Sequence, residues 1–288
     1  MRGLLRLAYA PAMLLGFVGG AIWLVATGRP VWVLPPLLLA AILLSFLAER
    51  AAPYEPEWNH DQGDRKRDIL HALVNEASYG LTLALVPALT LLAPFPGLWP
   101  HAWPLWLQVL MAIVVADAGI TLAHYLSHKV EWLWRFHAVH HSVKRLYGFN
   151  GLMKHPLHQA IETTAGATPL ILAGMPLQVG MLLGFAVAIQ LLLQHSNVDM
   201  RIGPLRHVLA LAPVHRFHHQ RDGHVGDVNF GLFTTLWDRL LGTAMYDKRR
   251  RIGRGDVGIG HRPDYPTGYV AQLVEPFRKA PRASADRA

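Results

Sequence analysis

Residues 104–128 read PLWLQVLMAIVVADAGITLAHYLSH, an apolar run that closes on two histidines four positions apart. The run meets the length of about 20 apolar residues that a membrane-spanning helix requires. Residues i and i+4 of a helix share one face, so His124 and His128 present their rings together at its end. Two further clusters follow, His137-Ala-Val-His140-His141 and His215-Arg-Phe-His218-His219. Neutral imidazoles are good ligands for iron, copper and zinc. Eight of them at these spacings are hard to explain as packing, because buried polar rings need partners.

The composition agrees with a membrane setting. Of 288 residues, 52% are hydrophobic and 16% charged, with a mean hydropathy of +0.24. Soluble domains carry about 25% charged residues. The net charge is +8 and the pI near 10.0, with basic residues scattered among short loops and a tail. A positive-inside bias and anionic headgroups explain that excess better than nucleic acid, so no nucleic-acid partner is expected. The chain has no cysteine, which excludes disulfides, thiolate zinc sites and iron–sulfur clusters ligated by this chain.

Four segments pass the length test for spanning, at about 7–27, 31–48, 69–94 and 104–127. The first, running from Leu7 to Thr27, reads as a transmembrane helix rather than a cleaved signal peptide. Pro35 and Pro36 predict a kink in the second, while His71, Asn75 and Glu76 give the third a polar start. The loop 95–103 lacks Lys and Arg, whereas 49–68 holds Arg50, Arg65, Lys66 and Arg67. Segment 128–160 adds Lys129, Arg135, Lys144, Arg145 and Lys154. The positive-inside rule then places the amino terminus, the 49–68 loop and everything after 128 in the cytoplasm.

A fifth apolar region, 161–195, is broken by Gly166, Pro169, Gly174 and Pro176. It reads as a re-entrant hairpin of two half-length stretches around Gly174-Met-Pro176, a reading that keeps His195 on the side of the three clusters. From 196 onward the chain is polar, Gly/Arg-rich at 249–262, with a disordered tail expected after 276. The expected fold is all-α: an integral membrane protein of about four transmembrane helices plus the hairpin, capped by a cytoplasmic histidine-rich helical domain. Its parts are the N-terminal helices 1–103, a catalytic domain 104–247 and a polar C-terminal tail 248–288.

In an HxxHH cluster the i and i+4 rings can clamp one metal while the adjacent pair points two rings in different directions, so one cluster can feed two metals. Eight imidazoles exceed the roughly three to five that one metal takes from a protein, and two metals is the economical count. Neutral ligands leave the metal charge in place, which suits oxygen activation. Soluble di-iron bundles use Glu-x-x-His ligands instead, and no such motif lies among these clusters. His195, at the end of an apolar stretch, is a further ligand candidate, and His155 and His158 could ligate or support the shell. Carboxylates to orient the rings are sought at Asp117, Glu131, Asp199 or Asp222. The solitary His60, His71, His101, His207 and His261 read as surface or interfacial.

The chain resembles the fatty acid hydroxylase/sterol desaturase superfamily of integral membrane, non-haem di-iron oxidoreductases. The likeness runs from about Asp117 to Thr243: Asp117-Ala, His124-Tyr-Leu-Ser-His128, Trp134-Arg-Phe-His137-Ala-Val-His140-His141-Ser142, His155-Pro, His195-Ser-Asn197, Val214-His215-Arg-Phe-His218-His219, Asn229-Phe-Gly231 and Trp237-Asp-Arg-Leu-Leu-Gly242-Thr243. The first hundred residues resemble the family only in being apolar helices. The resemblance implies ligation of two iron ions by His124, His128, His137, His140, His141, His215, His218 and His219, with His195 part of a further ligand group. Some members carry a second histidine where this chain has Asp199. Arg135 and Phe136 read as scaffold, and Asn229, Trp237 and Asp238 as fold and site-edge positions.

The implied reaction is hydroxylation or desaturation of an unactivated C–H bond of a fatty acyl, sterol or ether lipid, consuming dioxygen and two electrons. Ether-lipid cleavage by an alkylglycerol-type monooxygenase is the nearest alternative. The chain contains no His-Pro-Gly-Gly haem motif and no GxGxxG flavin fingerprint, so electrons are expected from an external ferredoxin or small cytochrome on the basic face. A histidine-rich metal transporter or sensor is the rival from another class. Transport would need polar residues along several spans, and here the spans are nearly uncharged.

Overall fold

The computed structural model describes residues 2–91 and 95–278. Within them the chain makes three helical hairpins that all begin and end on one side. The first pairs α1 (Arg2–Ala26) with α2 (Leu34–Ala51), and the second pairs α3 (Arg65–Leu91) with α4 (Leu105–Lys129). After the short α5 (Glu131–His141), α6 (Pro156–Leu172) and α7 (Leu177–His195) form the third. The amino terminus of α1 is tied to the segment after α7 by the Arg6–Asp199 ion pair at 2.6 Å. The end of α2 is tied there by Asp199 N–H donating to Ala52 O at 2.9 Å. That common side carries the polar cap.

Five helices are long and apolar enough to cross a membrane: Arg2–Ala26, Val31–Ala51, Arg65–Leu89, Leu105–Lys129 and Leu177–His195. Only 22–39% of the first four is buried, against 78% of Leu177–His195, so α7 is the central post and the others turn a face outward. Leu15, Trp23, Trp32, Leu47 and Leu81 stand exposed on that outer surface. Such an apolar surface belongs in lipid. At 25 residues α4 is about 37 Å long, which exceeds the hydrocarbon thickness of about 30 Å and carries its last turn, with His128, out of it. The α4–α6 contact depends on Gly119, where an added Cβ would lie 2.2 Å from Ala165 O. Small residues let membrane helices approach this closely.

Several expectations change in detail. Pro35 and Pro36 sit in the first turn of α2, where a missing N–H is harmless, and they start the helix rather than kink it. The hairpin around Gly174-Met175-Pro176 is present, but its arms have 17 and 19 residues instead of half a span each, and Leu177–His195 ranks among the candidate spans. Its tight turn uses Gly174 at φ 88°, a left-handed conformation that glycine adopts freely. His71 is fully buried, 3.0 Å from Gln272 Oε1, while His60, His101, His207 and His261 are exposed. Asn75 also points inward, its amide donating to Leu152 O and Lys154 O, and Glu76 points out. Arg145 and Arg67 are not free surface charges: Arg145 is buried against Asp64 and Arg67 against Asp68, both at 2.7 Å.

Beyond α7 the cap is a set of loops and short helices. Residues 248–278 fold back over it, burying Ile252, Val257 and Ile259 and setting the short helix Tyr269–Val274 against α3. Pro276 and Phe277 belong to a 3-10 turn, and Phe277 packs on Phe136. The expectation of disorder after 276 does not hold for Phe277 and Arg278; residues 279–288 lie outside the described residues, as do positions 92–94 at the end of the third predicted span.

Candidate metal centre

The eight clustered histidines and His195 come together as two adjoining groups. His124, His128, His137, His141 and His218 form the first, and His140, His195, His215 and His219 the second; within each, one nitrogen per ring lies within 4.8 Å of all the others. Helical spacing explains the sorting within α5. In the α5 cluster His137 and His141 join the first group while His140 turns to the second; in the other cluster His215 and His219 join the second while His218 crosses to the first. The groups touch through His141 and His219, whose rings stack 4.6 Å apart.

Backbone carbonyls decide which ring nitrogen carries hydrogen. His124 Nδ1 and His218 Nδ1 donate to Phe230 O and Val228 O, each at 2.8 Å. A carbonyl oxygen only accepts, so in both rings Nδ1 holds the hydrogen and Nε2 keeps a bare lone pair. Yet His124 Nε2 and His218 Nε2 face each other at 2.9 Å. Two facing lone pairs repel, and a cation shared between them removes that repulsion. His128 repeats the pattern: Nδ1 lies 2.9 Å from Asp227 Oδ1, and Nε2 lies 3.2 Å from His141 Nε2. In the second group His140 Nδ1 donates to Met153 O at 2.8 Å and His195 Nδ1 to Asn150 Oδ1 at 3.1 Å. That leaves His195 Nε2 buried with no protein partner among the described residues. The residues present fit a pair of cations.

Burial, reinforced by the neighbouring rings, holds His137, His141, His215, His218 and His219 well below the ordinary histidine range. His140 is pushed down to about 3 by burial and by Lys154. All six are therefore neutral near pH 7 and free to act as ligands. Burial pushes Asp227 up, but its bonds to His128 and Lys129 outweigh that and keep it below the usual carboxylate range.

One loop positions the first group. Asn229 has φ 56°, an uncommon conformation for a residue other than glycine, which turns the two flanking carbonyls toward His218 and His124. Its amide donates to Val214 O and Met245 O. Asp238 accepts from the N–H groups of Phe230 and Gly231, and Asp117 from those of Leu232, Phe233 and Thr234. A Cβ at Gly231 would lie 2.1 Å from Thr234 O, so only glycine fits there. Two carboxylates thus hold the donors of the loop while its acceptors face the rings.

Other candidates have different roles. His155 caps α6, accepting from Leu157 N–H and standing 3.2 Å from Leu273 O, so both nitrogens are engaged away from the centre. His158 lies outside both groups, packed 4.4 Å from the His137 ring and 3.0 Å from Ser127 Oγ. Of the carboxylates sought as orienters, Asp117 holds the loop, Asp199 pairs with Arg6, and Glu131 is exposed in the first turn of α5. The carboxylate that touches a candidate ligand is Asp227, which the sequence reading missed although it stands two residues before Asn229-Phe-Gly231. Phe136 is buried scaffold, and Arg135 donates to Pro276 O.

Two small neighbouring cavities lie behind the histidines. One of about 10 Å³ touches His124, His137, His140 and His215. The next, about 40 Å³, lies between α3, α4, α6 and α7, walled mainly by Ala116, Gly166, Ala167, Leu183 and Val187. They share Ile120, Lys154, Glu162, Leu191 and Leu232, all buried, whereas Tyr79, Thr163, Ala167 and Val187 farther out are half-buried.

The fold and site define a class: an all-helical membrane protein with a polyhistidine centre at one end of its bundle and small apolar cavities behind it. The fatty acid hydroxylase family matches residues 109–243. An ornithine lipid hydroxylase of Rhizobium tropici is 36% identical over 256 residues, covering 85% of this chain and 75% of that protein. The chain belongs to the fatty acid hydroxylase family. An alkylglycerol monooxygenase of Danio rerio is 29% identical over 145 residues, half of this chain and 31% of its own length. A sphinganine C4-monooxygenase of Arabidopsis thaliana is 28% identical over 162 residues, covering 54% of this chain and 60% of that protein. No solved structure matches the chain. Family membership carries the general activity, oxygen-dependent lipid oxidation, on a multi-pass membrane chain.

Proposed function

We propose that the chain hydroxylates or desaturates an unactivated C–H bond of a membrane lipid at two irons. His124, His128, His137, His141 and His218 hold one, and His140, His195, His215 and His219 the other. The observation that carries this reading is the juxtaposition of two groups of neutral imidazoles with small apolar cavities between the helices. When bound, the irons supply the oxidising chemistry: for hydroxylation, C–H, dioxygen, two electrons and two protons become C–OH and water.

The protein's own part is positioning and exclusion. Phe230 O, Val228 O, Met153 O, Asn150 and Asp227 fix the ring tautomers, which keeps the ligand nitrogens aimed without rearrangement. The buried walls Ile120, Leu191 and Leu232 keep water from the reacting carbon. A lipid approaches the site laterally from the bilayer, on the side of the half-buried Tyr79, Thr163, Ala167 and Val187.

The cap faces the cytoplasm by the loop-charge argument. Electrons arrive from an acidic ferredoxin or small cytochrome docking on the cap, where Arg249 and Arg250 are exposed. Arg251 and Lys129 are engaged with Tyr54 and Asp227, which leaves Arg249 and Arg250 as the better test pair. Charge reversal at both lowers carrier-dependent turnover and flattens its salt dependence; unchanged values count against docking there.

The deciding experiment is metal analysis of purified protein together with lipidomics of cells carrying the wild type or His140→Ala plus His218→Ala. Iron near two per chain and an oxidised lipid that disappears in the variant support the reading. Absence of iron, or identical lipid profiles, defeats it. The alkylglycerol monooxygenase relative favours ether-lipid cleavage as a second reading, and an aldehyde product in the same lipid extracts would select it.

A further inference from the structure

The last helix of the cap turns an apolar side outward. Val270, Val274 and Phe277 stand at i, i+4 and i+7 of the run Tyr269–Val274 and Glu275–Phe277, so they share a face, and all three are exposed. The opposite side is held by polar contacts. Gln272 Oε1 lies 3.0 Å from His71 Nε2 on α3, and the Gln272 amide donates to Ser142 Oγ and Pro266 O. Leu273 O stands 3.2 Å from His155 Nε2 at the start of α6, so the helix bridges the cap ends of α3 and α6. Phe277 packs on the buried Phe136, which also meets the exposed Trp132 at 5.0 Å. An apolar patch of this kind marks a contact with protein or membrane.

Its level along α3 favours membrane. Tyr269 meets the His71 ring at 4.6 Å, and His71 is six residues, about 9 Å, into that helix. The same turn belongs to the candidate span Arg65–Leu89 and shows Ile69, Leu70 and Leu73 to the outside. The patch therefore continues the lipid-facing surface at the point where α3 leaves the cap. Basic residues flank it on the polar side: Arg65 and Lys66 are exposed at the start of α3, Arg278 is exposed beside Phe277, and Lys279 and Arg282 follow in the sequence. Aromatic rings beside cations at one level are the composition of a membrane–water interface. We propose that Trp132, Val270, Val274 and Phe277 dip into the boundary between lipid headgroups and acyl chains. The helix is then an anchor lying in the plane of the bilayer, with the surface of the lipid layer as its partner.

The absence of cysteine from the chain makes the test direct, because one introduced thiol takes one label. Val270→Cys, Val274→Cys and Phe277→Cys are each spin-labelled in the full chain, which is placed as single copies in nanodiscs of phosphatidylcholine and phosphatidylglycerol. Leu81→Cys, on the exposed face of α3, and Arg250→Cys, exposed on the cap, serve as the lipid and water references. Collision rates are measured with oxygen, which concentrates in lipid, and with a water-soluble nickel chelate. The labels on the patch are expected to meet oxygen much as Leu81→Cys does and the nickel chelate several-fold less often than Arg250→Cys does. Nickel collisions equal to those of Arg250→Cys would place the face in water and overturn the proposal. Exclusion of both reagents would overturn it too, since protein, either another segment of the chain or a partner, would then cover the patch. Where a label lowers the melting temperature, a bimane on the same cysteine is read instead: quenching by brominated lipid supports the anchor, and no quenching overturns it.

Discussion

The two histidine groups are built differently. The first hangs on the loop 228–234: two of its five rings donate to carbonyls of that loop and a third meets Asp227, just before it. The second depends on the α5–α6 connection and on α7, through Met153 O and Asn150 Oδ1, with His215 alone facing the backbone of Asn229 in that loop. The first group also reaches the half-exposed Asp227, whereas all four rings of the second are buried. One group is aimed by a loop tied down with carboxylates, the other mainly by the connection between α5 and α6.

The largest effect expected from breaking this division is on metal content. His137→Ala with His141→Ala, and separately His215→Ala with His219→Ala, should each lower iron from about two to about one per chain, read by elemental analysis. Loss of all iron from either pair would show that the groups are a single cooperative site.

Next comes Asp238→Ala, which strands the buried N–H groups of Phe230 and Gly231. At about 1–3 kcal/mol for each unsatisfied donor, the protein should melt earlier, and chelator titration should strip the first group before the second. Equal loss from both would remove the loop's special role.

A smaller effect belongs to single anchors. Asp227→Ala should weaken metal held by the first group about 10- to 100-fold, and Asn150→Ala should do the same for the second, each measured by competition with a chelator of known affinity. The sharpening outcome is selectivity, and crossed effects would contradict the assignment. The smallest change is expected for His155→Ala, which removes a helix cap worth about 1 kcal/mol and leaves metal content unchanged in the same titration.

Legibility followed the range of the physics. The i, i+4 spacing of His124 with His128 and of His137 with His141 is a local property of helices, and each pair shares a group, as do His215 and His219 where the short helix Ala212–His215 gives way to turns. The membrane helices were legible because length and hydropathy act residue by residue. Asp227 was not, since nothing in Asp227-Val-Asn229 announces which ring the carboxylate meets. His71 misled for the same reason: its partner, Gln272, lies 201 positions away. The carbonyls of Met153, Val228 and Phe230 carry no sequence signal at all, because every residue has one.

The sequence by itself determined that this chain enters a membrane and that nine histidines are available as ligands at its polar end, since composition and helical periodicity need no partner to operate. Tertiary structure alone decided how those histidines divide, which nitrogen of each ring stays bare, and what lies behind them. Those properties arise where distant segments meet. A ring chooses its tautomer from the acceptor brought against it, and a cavity exists only between helices that have already packed.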